Sequence, residues 1–104
     1  MDREVARAHS RDMSTLHIEH PISDYPTWKA AFDRFASARE QAGVRAHRIR
    51  RPVDDEQYVV IDLDFDDAAR AARFLAFLRE AVWAVPANSP ALAGTPDARV
   101  LRDV

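Results

Sequence analysis

The most regular pattern of hydrophobic and polar positions in the chain lies in the stretch Tyr58–Phe65. Its odd positions are all apolar, whereas its even positions include Asp62 and Asp64. A period of two, in residue types that a pleated surface favours, predicts a strand with one buried face and one partly polar face. The stretch is followed at once by Asp66 and Asp67, and aspartate is a favoured N-cap residue. The sequence therefore predicts a strand that passes almost directly into a helix.

The other elements are predicted from the same two periodicities. Residues 15–20 alternate and predict a first strand, and apolar residues at spacings of three and four predict an amphipathic helix that ends at Gly43. Either Ser23 or Asp24 is a suitable cap for its start. The predicted order is strand 15–20, helix 24–42, strand 44–53, strand 58–65, helix 68–83 and strand 98–104.

The second and third strands are joined by the acidic turn 54–56, which predicts an antiparallel hairpin. In the register that follows, Ile49 lies opposite Ile61 on the buried face. Arg48 then lies opposite Asp62 on the other face. Opposite charges on facing positions favour this register.

The order strand, helix, strand, strand, helix, strand, with right-handed crossovers, predicts an α+β, ferredoxin-like βαββαβ fold. Two helices are expected to cover one face of a four-stranded antiparallel sheet. We assign residues 14–104 to this domain and residues 1–13 to a mobile N-terminal tail. The uncovered face combines charged and apolar side chains: His17, Glu19, Arg48, Tyr58, Val60, Asp62 and Asp64.

Composition narrows the possible partners. The net charge of −2 provides no field for nucleic acid or anionic membrane, and no apolar run is long enough to cross a bilayer. The arginines of the second strand are divided between two faces and have no interleaved aromatic residues for stacking bases. The absence of cysteine excludes disulfides and thiolate ligands and fits a reducing compartment. We therefore expect a cytoplasmic protein that binds no nucleic acid, membrane, metal or cofactor.

One group of candidate site residues lies on the predicted polar face. His17 and Glu19 share a strand face, and Asp62 lies beside them if the first and third strands are neighbours. Such a trio can chelate a divalent metal or form an acid/base pair. The alternative is a structural network of hydrogen bonds and salt bridges, completed by Arg48, at a subunit interface.

A second group is aromatic. Trp28, Phe32, Phe35, Phe74 and Trp83 can line an apolar pocket for a flat aromatic ligand. Aromatic residues at helical spacing are also typical of an ordinary hydrophobic core, so both interpretations stay open.

The run Asp-Tyr-Pro-Thr-Trp-Lys-Ala-Ala-Phe-Asp at 24–33, the pair Gly43-Val44, Arg48, the hairpin 51–58 and the strand-to-helix step 63–68 resemble the small dimeric α+β barrel proteins. This superfamily includes the antibiotic-biosynthesis monooxygenases, and the resemblance covers about residues 14–104. It implies a homodimer in which two sheets face each other. Residues at that interface would include Tyr58, Val60, Arg48 and Asp62.

The resemblance also implies a ligand cleft between the sheet and the helices of each subunit. Relatives carry out cofactor-free oxidation of polycyclic phenols, lactone isomerisation and haem breakdown. The haem-degrading relatives use a histidine of the second helix and an asparagine of the first strand, and this sequence has neither.

Two functional hypotheses follow. The first is a cofactor-independent, monooxygenase-like enzyme that acts on a small aromatic or polyketide-like molecule, in a cleft that excludes water while one polar group moves a proton. The second is a non-catalytic dimer that binds a small molecule or serves as an accessory protein.

Overall fold

The structure is a computed structural model that describes residues 13–104. The tail predicted over residues 1–13 lies, apart from Met13, outside the described residues. None of the helices in the described part of the chain is long and apolar enough to cross a membrane. The strands are β1 Ser14–Pro21, β2 Ala46–Arg50, β3 Tyr58–Phe65 and β4 Asp97–Arg102, and the α-helices are α1 Tyr25–Arg34, α2 Ala36–Ala42 and α3 Ala68–Phe77.

The four strands form one antiparallel sheet in the order β2-β3-β1-β4. This order, with both helical segments between sheet strands, confirms the predicted ferredoxin-like fold. Ile49 lies opposite Ile61, so the predicted hairpin register is also confirmed. The second strand is shorter than predicted, because β2 pairs only from Ala46 to Arg50.

The core lies between one face of this sheet and the helices. Alternation along β1 and β3 directs one set of side chains towards the helices, and burying each large one contributes about 1.5–3 kcal/mol. Five side chains are the largest of those that are fully buried: Leu16, Ile22, Val59, Leu63 and Phe65.

The first predicted helix is interrupted, because α1 ends at Arg34 and α2 begins at Ala36. At the junction, the Phe35 N–H donates to the carbonyl oxygen of Phe32 at 3.1 Å, a bond one residue shorter than the α-helical one. Hydrophobic spacing could not reveal the break, because the apolar stripe continues through Phe35 on both sides of it.

The second predicted helix has the predicted extent but changes its geometry. After α3 the backbone continues as a π-helix, Leu78–Trp83, followed by a short 3₁₀ turn, Pro86–Asn88. The loop that follows is attached to the end of β1, because the Ser23 N–H donates to Ala91 O and Ile22 forms a bridge with Leu92. This segment therefore lies against the sheet instead of extending away from it.

Gly43 ends α2 in the left-handed conformation, with a φ of 93°. We expect Gly43→Ala to lower the free energy of unfolding by about 1–2 kcal/mol, because a Cβ is disfavoured in that conformation. The added Cβ would also lie 3.3 Å from Cδ of Arg70. Urea denaturation measures the change. Gly43→Asn is the matched control and should cost less, because asparagine tolerates this conformation; equal losses in both variants would contradict the explanation.

Candidate functional site

A cavity lies between the helix-covered face of the sheet and the segment that follows α3. Its volume is about 80 Å³, and its walls are mainly apolar. All five aromatic residues that the sequence indicated as pocket candidates line it: Trp28, Phe32, Phe35, Phe74 and Trp83. Ligand pockets commonly have about 300–1,000 Å³. A ligand of several rings therefore requires part of the wall to move outward.

The aromatic wall is built mainly by α1. Trp28 and Phe32 are four residues apart, so they lie on the same side of the helix. Their rings stack with centroids 5.1 Å apart and an interplanar angle of 27°. Trp83, at the end of the π-helix, supplies a second indole. These rings offer flat apolar surfaces suited to an aromatic ligand.

His20 is a polar group of this cavity, and only 3% of its surface is exposed. Its Nδ1 lies 2.9 Å from the carbonyl oxygen of Pro21. Because a carbonyl only accepts, Nδ1 must carry the proton, which leaves the lone pair of the neutral ring on Nε2. Burial lowers the pKa of His20 below its ordinary value, against the opposing effect of the bond to Pro21. His20 is therefore a neutral imidazole at neutral pH.

Nε2 of His20 has no hydrogen-bond partner within residues 13–104. In that part of the chain, Oγ of Ser14 is the one fully buried side-chain polar atom without a partner, so Nε2 is not sealed off. His20 is part of the cavity wall, and its Nε2 is not fully buried. Sequence reasoning did not select His20, although the alternation that buries Leu16 and Ile18 places His20 on the same face.

Arg39 also lines the cavity, and it is only 7% exposed. Its Nη1 donates to the carbonyl oxygen of Phe32 at 2.6 Å, and its guanidinium carbon lies 3.6 Å from the centre of the Phe32 ring. Burial lowers the pKa of Arg39, against a raising effect of Asp33, but a guanidinium stays charged in proteins. Sequence reasoning missed this residue because its spacing makes it one more polar position of an amphipathic helix.

The opposite face of the sheet carries a continuous polar network. His17 lies 2.7 Å from Asp62 through Nδ1 and 2.8 Å from Glu19 through Nε2. Tyr58 donates to the second oxygen of Glu19 at 2.8 Å, and Arg50 donates to the second oxygen of Asp62 at 2.8 Å. Because carboxylates only accept, both nitrogens of His17 must carry protons for both bonds to form.

The titration of these groups follows from the network. The bond to Glu19 is the largest cause that raises the pKa of His17, followed by contributions from Asp62, while burial opposes them. The bond from His17 in turn lowers the pKa of Glu19, and the bond to Glu19 raises the pKa of Tyr58. His17 is thus stabilised as an imidazolium between two carboxylates.

The structure brings together the predicted trio of His17, Glu19 and Asp62. Within residues 13–104, however, no group of three or more histidine, aspartate and glutamate side chains has the arrangement to hold a metal ion. Arg48 lies opposite Asp62 as predicted, but the predicted pairing of their charges is wrong. Arg50 forms the ion pair instead, because a long side chain can reach a diagonal neighbour across the strands.

The trio and the cavity lie on opposite sides of the sheet. His17 and Glu19 occupy odd positions of β1, whereas His20 occupies an even one and faces the helices. A ligand in the cavity would therefore meet His20, while the trio is available to whatever contacts the open face.

Solved structures of other proteins share the fold of this chain. The cofactor-independent oxygenase SnoaB from Streptomyces nogalater has a TM-score of 0.69 and 19% identity, covering 89% of this chain and 94% of its own. The ActVA-Orf6 monooxygenase of Streptomyces coelicolor, solved with nanaomycin D, has a TM-score of 0.59 and 18% identity, covering 90% and 89%. A dimeric ferredoxin-like protein from an uncultured marine organism has a TM-score of 0.58 and 14% identity, covering 86% and 94%.

These likenesses establish a fold shared with antibiotic-biosynthesis monooxygenase-like proteins. The sequence itself matches no protein-family model and no curated protein.

The network predicts a pH-dependent contribution to stability. The pKa of His17 is raised above its ordinary value of 6.5, so its contribution is complete below that pH and is lost as the pH rises through the raised pKa. The pKa of Glu19 is lowered below 4.5, so its contribution is lost only at more acidic pH. We expect His17→Gln to cost up to about 1 kcal/mol more at mildly acidic than at alkaline pH. Urea denaturation at both pH values measures this difference.

His47→Gln is the control, because His47 is exposed and has no ion pair within the described residues. A cost of His17→Gln that does not change with pH would show that the imidazolium form is not stabilised in the folded state.

Proposed function

We propose that this protein is a homodimeric, cofactor-independent monooxygenase that oxidises a small aromatic, polyketide-like molecule bound in the cavity. The observation that carries the proposal is His20, a buried neutral imidazole in the wall of an aromatic cavity, whose Nε2 has no partner among residues 13–104. This arrangement combines a general base with walls that bind flat rings and exclude water.

The chemistry that fits this site begins with removal of a proton from an acidic C–H or phenolic O–H of the substrate by Nε2. The resulting electron-rich anion reduces dioxygen, which serves as both oxidant and oxygen source. For a ring methylene flanked by aromatic rings, the balance is CH₂ plus O₂ giving C=O plus H₂O. His20 then returns its proton to the oxygen that leaves as water.

Two solved structures with the same fold support this assignment. SnoaB is described as a cofactor-independent oxygenase, and the structure of the ActVA-Orf6 monooxygenase contains the ligand nanaomycin D. A chain with the same fold and an aromatic cavity is consistent with that chemistry, but the activity of this chain rests on its own residues.

The homodimer is supported by the open face of the sheet. Helices cover only one face, and the other carries half-buried Tyr58 and Val60 beside Arg48 and Asp62. A second sheet laid on this face would bury the apolar residues and desolvate the His17 network. One solved structure of the same fold is described as dimeric.

The small volume of the cavity favours a second candidate, a dimer that binds a small molecule without changing it. At about 80 Å³, the cavity is smaller than the usual volume of ligand pockets, about 300–1,000 Å³. Turnover separates the two functions, since a binding protein would take up the ligand without consuming oxygen.

We expect the purified protein to consume oxygen with an anthrone such as dithranol, and His20→Gln to slow this reaction by about a hundredfold or more, because glutamine cannot accept the proton. The rate of the unchanged protein should fall as the pH drops through the lowered pKa of His20, because the protonated ring is not a base. An oxygen electrode measures both effects.

His17→Gln is the matched control, because His17 lies on the opposite face of the sheet and should leave the rate nearly unchanged. Ligand binding without oxygen uptake would favour the second candidate, and a larger loss in His17→Gln than in His20→Gln would move the chemistry to the open face.

We expect the protein to have twice the chain mass of 11.8 kDa in light scattering, and Val60→Glu to produce monomers. The new carboxylate would be desolvated between the sheets beside Glu19, its partner position on β1. Val53→Glu is the control, because Val53 is fully exposed at the hairpin tip, away from the sheet face. A monomeric unchanged protein, or a dimer that survives Val60→Glu, would contradict the proposed interface.

A further inference from the structure

Arg39 is a buried cation that forms no salt bridge in the described part of the chain, since Asp33 acts on it only through space and is itself bonded to Lys29. It is 7% exposed, and none of the ion pairs found among residues 13–104 includes it. Burying a charge without a partner is strongly unfavourable. The usual remedies are an anionic partner or a set of hydrogen bonds that satisfies all the donors.

The protein satisfies only part of this guanidinium. It has five N–H donors, and within residues 13–104 the one acceptor found is the carbonyl oxygen of Phe32, bonded to Nη1 at 2.6 Å. The Phe32 ring, 3.6 Å away, lies against one flat face of the group. A carbonyl and an aromatic ring fix its orientation but do not neutralise it.

A purely structural role does not require this geometry. The Phe32 carbonyl already accepts the Phe35 N–H at 3.1 Å, so the end of α1 has a hydrogen bond without Arg39. Arg34, in the last turn of the same helix, is exposed and needs no burial. Arg39 instead lines the cavity together with His20, which is neutral and adds no anion.

We propose that the ligand of the cavity is an aromatic carboxylate and that Arg39 binds its carboxylate group. The inference rests on the proposed function in one respect, since it takes the cavity as the ligand site. A guanidinium held by one edge and one face still presents further donors, and parallel N–H donors match the two oxygens of a carboxylate. The ring system of the ligand then lies among the aromatic walls, and its charge lies at Arg39.

The test compares two probes of nearly the same shape, 2-naphthoate and neutral 2-naphthol, by isothermal titration calorimetry at neutral pH. We expect naphthoate to bind roughly ten- to hundredfold more tightly, the range expected for a hydrogen-bonded charged partner. Arg39→Gln should remove this preference while leaving the affinity for naphthol nearly unchanged. Arg39→Lys should retain part of it, because a lysine keeps the charge but not the paired donors.

Arg34→Gln is the matched control and should behave like the unchanged protein, because this arginine is exposed and does not line the cavity. Thermal melts of each variant show whether it is folded. If Arg39→Gln does not fold, Arg39→Lys is used for the test instead. If Arg39→Lys then prefers naphthoate over naphthol as strongly as the unchanged protein does, the carboxylate is not bound by paired guanidinium donors.

The outcomes separate this inference from the proposed function. If naphthol binds as tightly as naphthoate, or if the preference survives in Arg39→Gln, the role of Arg39 is wrong while the cavity remains an aromatic site. If neither probe binds, both the inference and the proposed use of the cavity are overturned.

Discussion

The pairing of β1 with β3 is the contact on which the rest of the structure depends. These two strands form the centre of the sheet, and their ladder runs without interruption from Ser14 opposite Phe65 to Pro21 opposite Tyr58. A slip of one residue along either strand would turn every side chain of that strand to the other face. The apolar residues fix the register, because Leu16 and Leu63 must both face the helices. The same register fixes the face of the sheet on which each polar side chain lies.

Two histidines on β1 show how far the environment determines their chemistry. His17 and His20 are three residues apart and face opposite sides of the sheet. Two carboxylates stabilise the charged form of His17 and raise its pKa, whereas burial removes the charge from His20 and lowers its pKa. The same residue type is therefore a charged imidazolium on one face and a neutral imidazole on the other.

The sequence was sufficient for those parts of the molecule that depend on periodicity. The alternation in β3, the hairpin register at Ile49 and the cap at Gly43 were all predicted, because each follows from spacing or from a residue with one preferred conformation. Pairing of Asp62 with Arg50 instead of Arg48 could not be predicted, since it depends on the reach of a flexible side chain.

The cavity, too, could be predicted from the sequence only in part. Its aromatic lining was among the open alternatives, but whether the rings fill a core or leave space depends on backbone geometry that spacing does not report. The break at Phe35 and the π-helix after α3 are both of this kind. The roles of His20 and Arg39 follow from what surrounds them, and neither stands in a recognisable motif.

The π-helix has a consequence for how proteins built in this way can diversify. The Ala81 carbonyl lies in its last turn, where helix carbonyls have no partner within the helix, and it accepts the Asn88 amide at 2.7 Å, which ties down the wall of the cavity beyond the helix. The sheet, by contrast, is held by complete ladders and a shared core. Residues 88–90 line the cavity but belong to no strand, so substitutions there would reshape the space offered to a ligand while the pairing of β1 with β3 stays as it is.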